Sequence, residues 1–168
     1  MNLYLLRHAN AYDIGEMNIE KDEDRPLNDE GLARVELLAR ALERFGLTFD
    51  RVLTSPLRRA EQTARELVGR MPEPRPEVTL CRPLAPGGSS KKLAKQLLVE
   101  DADHVLLVGH EPDLGQHAAW LIGSKESQLE FAKGGMACIR CEGLAGKGAG
   151  ALGWLVTPRW LGALSGKG

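Results

Sequence analysis

The sequence predicts a single-domain three-layer α/β/α sandwich with a mostly parallel central sheet and an antiparallel hairpin at one edge. Three observations predict it. Short apolar runs of strand length alternate with amphipathic stretches of helical period as far as residue 123. The most apolar run, HVLLVG (104–109), shows no polar alternation, as expected of a central strand covered on both faces. Two strand-like runs, MACIRCE (136–142) and ALGWLVT (151–157), close the chain around the Gly- and Ala-rich EGLAGKGAGALG (142–153) and read as a hairpin.

The elements follow in order. Residues 3–7 (LYLLR) form a short opening strand, and residues 10–27 a polar, acidic loop. Leu32, Val35, Leu38, Ala39, Leu42 and Phe45 recur at helical spacing, giving a helix over 29–45. Asn28 can cap its start and Gly46 can end it. RVLT (51–54) is the second strand. Ser55-Pro56 reads as N-cap plus first helical position of a helix running to about residue 69. A weaker strand over 77–81 precedes a helix from Ser89 or Ser90 to about 99. After the strand at 104–109, Pro112 opens a helix closed by Gly123. The domain is expected to span 1–158, leaving 159–168 as a tail whose first half is apolar enough to dock.

Composition narrows the function classes. The 168 residues suit one domain. A chain of this size buries about 70% of its unfolded surface, so it needs no metal or disulfide to fold. With 43% hydrophobic and 27% charged residues, neither disorder nor a membrane-embedded protein is expected. The apolar runs LYLL and VLLV are far shorter than the ~20 residues of a membrane span. Arg7 interrupts the N-terminal run too early for a signal peptide, which makes the cytoplasm the expected compartment. A net charge of −1 and the lack of a basic stripe argue against nucleic acid and anionic membrane as partners. Cys138 and Cys141 form a C-x-x-C, but in a strand positions three apart face opposite ways. Together with Cys81 they read as structural thiols.

Three polar clusters stand directly after predicted strands: Arg7-His8, Ser55-Pro56-Leu57-Arg58-Arg59, and Gly109-His110-Glu111. A parallel sheet brings such ends to one edge, where ligands of α/β proteins bind. The expected pocket holds two histidines, two or three arginines and two helix N-termini, which is a site for an anion such as phosphate. Arg59 in the first turn of a helix is opposed by the helix dipole and asks for an anionic partner.

These residues carry a resemblance. Leu6-Arg7-His8-Ala9 resembles the L-R-H-G motif of the histidine phosphatase (phosphoglycerate mutase-like) superfamily. Ser55 to Thr63 (SPLRRAEQT) is similar to its S-x-x-x-R-A-x-Q-T, and Val108 to Pro112 to its segment around the second histidine. The short chain, with Arg25-Pro26-Leu27-Asn28 before the first helix, looks most like the SixA-type phosphohistidine phosphatases. The resemblance implies that His8 is a nucleophile that becomes phosphorylated. It implies that Arg7 and Arg59 hold phosphate oxygens and that His110 donates to the same phosphoryl group. Asn10 and Ser55 are possible phosphate-binding helpers, and Arg58 stays outside the set.

The implied chemistry suits these residue types. A neutral imidazole is a good nucleophile, and neighbouring guanidinium charges hold it neutral. Phosphoryl transfer is mostly positioning and charge neutralisation, which arginine forks supply. No metal or other cofactor is expected. Two departures stand out. Ala9 replaces the motif glycine, and the segment 80–90 (LCRPLAPGGSS) has no carboxylate where many relatives carry a general acid. Glu111, Asp13 and above all Asp113 are the candidate substitutes. A site without a dedicated acid suits P–N bonds, because a phosphorylated imidazole leaves as a weak base once protonated, at a pKa near 6.5. The expected function is therefore a metal-independent phosphatase acting on protein phosphohistidine in signalling, with inorganic phosphate as product. The alternatives are a phosphatase of a small phosphorylated metabolite, and a non-catalytic phosphate-binding or scaffold protein.

Overall fold

The computed structural model describes residues 1–124 and 127–164. Strands β1 (Asn2–Arg7), β2 (Arg51–Thr54), β3 (Val78–Leu80), β4 (His104–Gly109), β5 (Met136–Cys141) and β6 (Gly150–Val156) form one sheet of order β3-β2-β4-β1-β5-β6. The first four are parallel; β5 runs antiparallel to β1, and β6 to β5. Helices are α1 (Asp29–Arg44), α2 (Arg58–Gly69), α3 (Ser90–Leu97), α4 (Asp113–Leu121) and α5 (Pro158–Leu164).

Strand alternation sorts the apolar side chains into two cores. Tyr4, Leu6, Val52, Leu106, Val108, Met136 and Cys138 face a core shared with α1, α2 and Leu161 of α5. Leu3, Leu5, Leu53, Val105, Leu107, Ala137, Ile139 and Cys141 face the other, shared with α3, α4 and Phe131. Cys138 and Cys141 thus lie on opposite faces, and all three cysteines are free and buried. β4 is covered on both faces and paired on both edges, with Leu107 opposite Leu5 and Leu53. Docking of Leu161 ties the first half of the tail to the core; residues 165–168 lie outside the described residues.

One helix start differs from the sequence expectation. α2 begins at Arg58, with Leu57 at the cap position and no side-chain cap bond. Ser55 Oγ instead accepts from Leu57 N–H (3.3 Å) and meets His110 Nε2 (2.8 Å), so it closes the turn before the helix. Asn28 does cap α1, accepting from Gly31 N–H (2.9 Å), and Gly46 sits just past its end at φ +60°.

The register sets where the strand ends fall. Arg7 pairs with Gly109 and Thr54 with Val108, so His8, Ser55 and His110 leave the sheet side by side. His8 N–H donates to Gly109 O (3.0 Å) and Ser55 N–H to Val108 O (2.9 Å), which extends the ladder one residue past the strands. The loop after β1 then runs against α1, where Asn28 N–H donates to Asn10 O (3.1 Å).

That crossing leaves no room for a side chain at Gly31, whose added Cβ would stand 2.0 Å from Asn10 O. Alanine normally gains about 0.5–1 kcal/mol over glycine inside a helix. Here the backbone clash outweighs that gain, and Gly31→Ala is expected to destabilise the protein by roughly 1–3 kcal/mol in urea unfolding. A variant as stable as wild type would show that the crossing is loose.

Candidate active site

His8 stands one residue beyond β1 and is buried. Its Nδ1 lies 2.7 Å from Ala9 O. A carbonyl only accepts, so Nδ1 carries the proton and Nε2 keeps its lone pair. Arg59 Nε donates to that Nε2 at 3.2 Å. His110, one residue beyond β4, has its ring centroid 4.9 Å from that of His8. Ser55 Oγ accepts from Leu57 N–H and shares a hydrogen bond with His110 Nε2; where the serine O–H is the donor of that bond, the His110 proton sits on Nδ1.

Arg7 ends β1 and donates through Nη1 to Phe131 O (2.6 Å). Phe131 N–H donates to Glu111 Oε1 (3.1 Å), so Arg7 and Glu111 grip the same residue of the loop before β5. Among the described residues, the buried side-chain nitrogens and oxygens without a partner are Arg7 Nε, Asn10 Oδ1 and His110 Nδ1. Arg7 Nε is an N–H donor, and His110 Nδ1 is one in the tautomer whose Nε2 accepts from Ser55; both residues are predicted to face an anion. Orphaned buried donors are costly unless a ligand meets them.

Arg59 lies in the first turn of α2 and is only 6% exposed. Besides His8 it reaches Asp22, with Nη1 donating to the carbonyl (2.7 Å) and Nη2 to Oδ2 (3.0 Å). Asp22 belongs to a single 3-10 turn, Asp22–Asp24, in the acidic loop. Its Oδ1 accepts from Arg25 Nη1 (2.9 Å). Arg58 points elsewhere, donating to Asp24 O at 3.4 Å on the surface. Sequence reasoning missed Asp22 among its acidic neighbours. The signal that could have found it was Arg59 itself, a cation at a helix start in need of a counter-charge.

The remaining candidates are occupied in other ways. Asn10 Nδ2 donates to Glu30 Oε2 (2.8 Å) on the α1 side. Asp113 Oδ1 accepts from Gly87 N–H (3.1 Å), fastening the 82–90 segment to the start of α4. Asp13 is exposed and pairs with Arg25 Nη2 (2.5 Å). No group of three or more His, Cys, Asp or Glu side chains among the described residues is arranged to hold a metal ion. No described helix is long and apolar enough to cross a membrane.

Electrostatics follow from burial. The His8 pKa is pushed down to about 3, first by loss of solvent, then by His110, Arg59 and Arg7, against the bond to Ala9 O. His110 falls to about 4, again through burial first, then Arg59 and Arg7, with Asp22 opposing. The guanidinium charges expected to keep His8 neutral do act in that direction, but burial is the larger cause. Burial pulls Asp22 upward, yet the bonds and charges of Arg25 and Arg59 outweigh it and hold its carboxyl below the ordinary range.

A mostly parallel sheet with two histidines and two arginines gathered at its carboxyl edge defines an α/β protein with a basic, strand-end site. The chain belongs to the histidine phosphatase superfamily, branch 1, which residues 3–80 match. It is 38% identical to an uncharacterized protein of Picosynechococcus sp. PCC 7002 over 96% of this chain and 99% of that one. It is 28% identical to the phosphohistidine phosphatase SixA of Escherichia coli over 94% of each chain. The solved structure of the protein histidine phosphatase SixA complexed with tungstate superposes with a TM-score of 0.81 at 26% identity, covering 96% of this chain and 99% of that one.

Both site imidazoles are therefore expected to stay neutral from pH 7 to about pH 5. An unfolded histidine binds its proton near pH 6.5, above the folded values of about 3 and 4. Their contribution to stability is full above pH 6.5 and is lost progressively as pH falls toward those values. ¹⁵N-edited NMR of the His8 and His110 rings checks this, and a ring titrating near pH 6.5 would refute it.

Proposed function

We propose that the protein is a metal-independent phosphatase that works through a covalent phosphohistidine on His8 and acts on protein phosphohistidine. Membership of the histidine phosphatase superfamily supports phosphatase activity. The observation that carries the mechanism is the arrangement around His8. An unprotonated Nε2 faces the Arg59 guanidinium, beside a histidine and an arginine that each keep a buried side-chain nitrogen unpartnered.

In the first step Arg59 Nε–H passes from the His8 Nε2 lone pair to a phosphoryl oxygen, the freed Nε2 attacks phosphorus, and the bond from phosphorus to the leaving group breaks. Arg7, Arg59 and His110 Nδ1–H neutralise charge on the equatorial oxygens. The leaving imidazole nitrogen takes its proton from solvent. In the second step water attacks the phosphorus on His8, the P–N bond breaks, and inorganic phosphate and free His8 result. Ser55 supports the reaction by fixing the His110 tautomer.

Three facts favour P–N substrates. The segment 80–90 has no carboxylate. Asp113 is bonded to the Gly87 N–H, and Asp22 is ion-paired with Arg25 and Arg59. The SixA relative is itself a phosphohistidine phosphatase by name, which supports the same substrate class here.

His8→Ala is expected to abolish turnover, and wild type quenched in alkaline detergent to yield an acid-labile, alkali-stable phosphoryl group on the peptide holding Arg7 and His8. Normal activity in His8→Ala would remove the covalent mechanism.

Rate should also depend steeply on the leaving group. Phosphohistidine, phosphoramidate and nitrophenyl phosphate are expected to exceed phosphoserine or sugar phosphates by ~10²–10⁴, the usual contribution of a general acid. Asp113→Asn is expected to lower aryl and alkyl rates alike, as loss of a loop fastening does. A selective loss on alkyl substrates would identify Asp113 as the acid, and equal wild-type rates would point to a metabolite phosphatase.

A further inference from the structure

We propose that Asp22 is a positioning residue for this reaction: it holds the Arg59 guanidinium in the orientation from which that group meets the transferred phosphoryl. The inference rests on the reading of Arg59 as a phosphate-holding residue.

Arg59 presents two problems that its own helix cannot solve. It is a long side chain whose ordering costs up to ~2 kcal/mol. It also carries its charge in the first turn of α2, where the dipole is unfavourable, at 6% exposure. Asp22 answers both. Its carbonyl and one carboxylate oxygen take Nη1 and Nη2 at 2.7 and 3.0 Å, a two-point grip that fixes the guanidinium plane. The same grip directs Nε onto His8 Nε2.

Asp22 is itself held. Its second carboxylate oxygen accepts from Arg25, whose Nε donates to Tyr12 O (2.6 Å) and whose Nη2 pairs with Asp13. A continuous chain of charged contacts therefore runs from the loop after β1 through Arg25, Asp22 and Arg59 to His8. Its two arginines share one carboxylate, which sits 49% exposed above the nearly buried Arg59 side chain.

Two alternative roles fit less well. A proton donor must hold a proton, and a carboxylate gripped by two guanidiniums is ionised. A plug would have to fill the guanidinium, but arginine has five N–H donors and His8 and Asp22 engage three. Two remain for phosphoryl oxygens while Asp22 stays in place, and Nε–H joins them when phosphorus takes its place at His8 Nε2.

The test is a double-mutant cycle read by direct binding of inorganic phosphate and of vanadate, alongside turnover of nitrophenyl phosphate. Asp22→Asn keeps the backbone grip and removes the charge; it is expected to weaken phosphate binding about tenfold. Arg59→Ala is expected to weaken it about a hundredfold. The double variant should bind no more weakly than Arg59→Ala alone, because Asp22 acts through Arg59. Asp22→Glu should recover most of the loss. Arg25→Gln, which loosens Asp22 without touching Arg59, should give a smaller loss of the same kind.

Unchanged or tighter phosphate binding in Asp22→Asn would overturn the positioning role, the tighter result marking Asp22 as a competitor. Additive losses in the double variant would overturn it too, as a merely structural effect. Unchanged phosphate binding in Arg59→Ala would instead remove the phosphate assignment of Arg59, and the role of Asp22 with it.

Discussion

The pairing of β4 with both β1 and β2 is the constraint from which the rest of the site follows. Leu107 lies opposite Leu5 on one side and Leu53 on the other. A slip of one residue would turn each apolar side chain to the wrong core, so packing fixes the register. Once fixed, the register delivers His8, Ser55 and His110 to one edge. These side chains need no adjustment of their own to meet, because rigid strands set their roots.

Bringing these groups together creates an electrostatic problem. Two imidazoles lie 4.9 Å apart beside two guanidiniums, away from most solvent. Burial keeps the rings neutral, which leaves an unprotonated Nε2 on His8 and an unpartnered Nδ1 on His110. The guanidiniums stay charged and need partners. Arg7 takes the Phe131 carbonyl and Arg59 takes Asp22. The loop read as plain acidic surface thus supplies the counter-charge of a buried arginine, and Arg25 doubles as its brace.

The site's supports come from all around the edge. The Gly87 segment is fastened by Asp113, the loop before β5 by Arg7 and Glu111, and the loop after β1 by the close passage of Gly31. Carboxylates that sequence reasoning offers as acids serve as fasteners here. Asp113 and Glu111 each give one oxygen to a peptide N–H, which ties a loop to the strand-end edge.

Much was legible in the linear pattern. Period 2 and period 3.6 marked the strands and helices, Asn28 and Gly46 marked the ends of α1, and strand alternation separated Cys138 from Cys141. The polar clusters after each strand marked the site, because a parallel sheet aligns carboxyl ends whatever the loops do. Other features depended on distance in space rather than in sequence. Ser55 meets His110, 55 residues away, and α2 starts three residues beyond Ser55. Asp22 was one acid among many until folding set it against Arg59, 37 residues on. Sequence by itself determined the elements, the two cores and which residues reach the strand-end edge, since those follow from local periodicity and chain direction. Only tertiary structure decided which hydrogen-bonding groups met there, because a donor's partner is chosen by proximity across the fold, which no local pattern encodes.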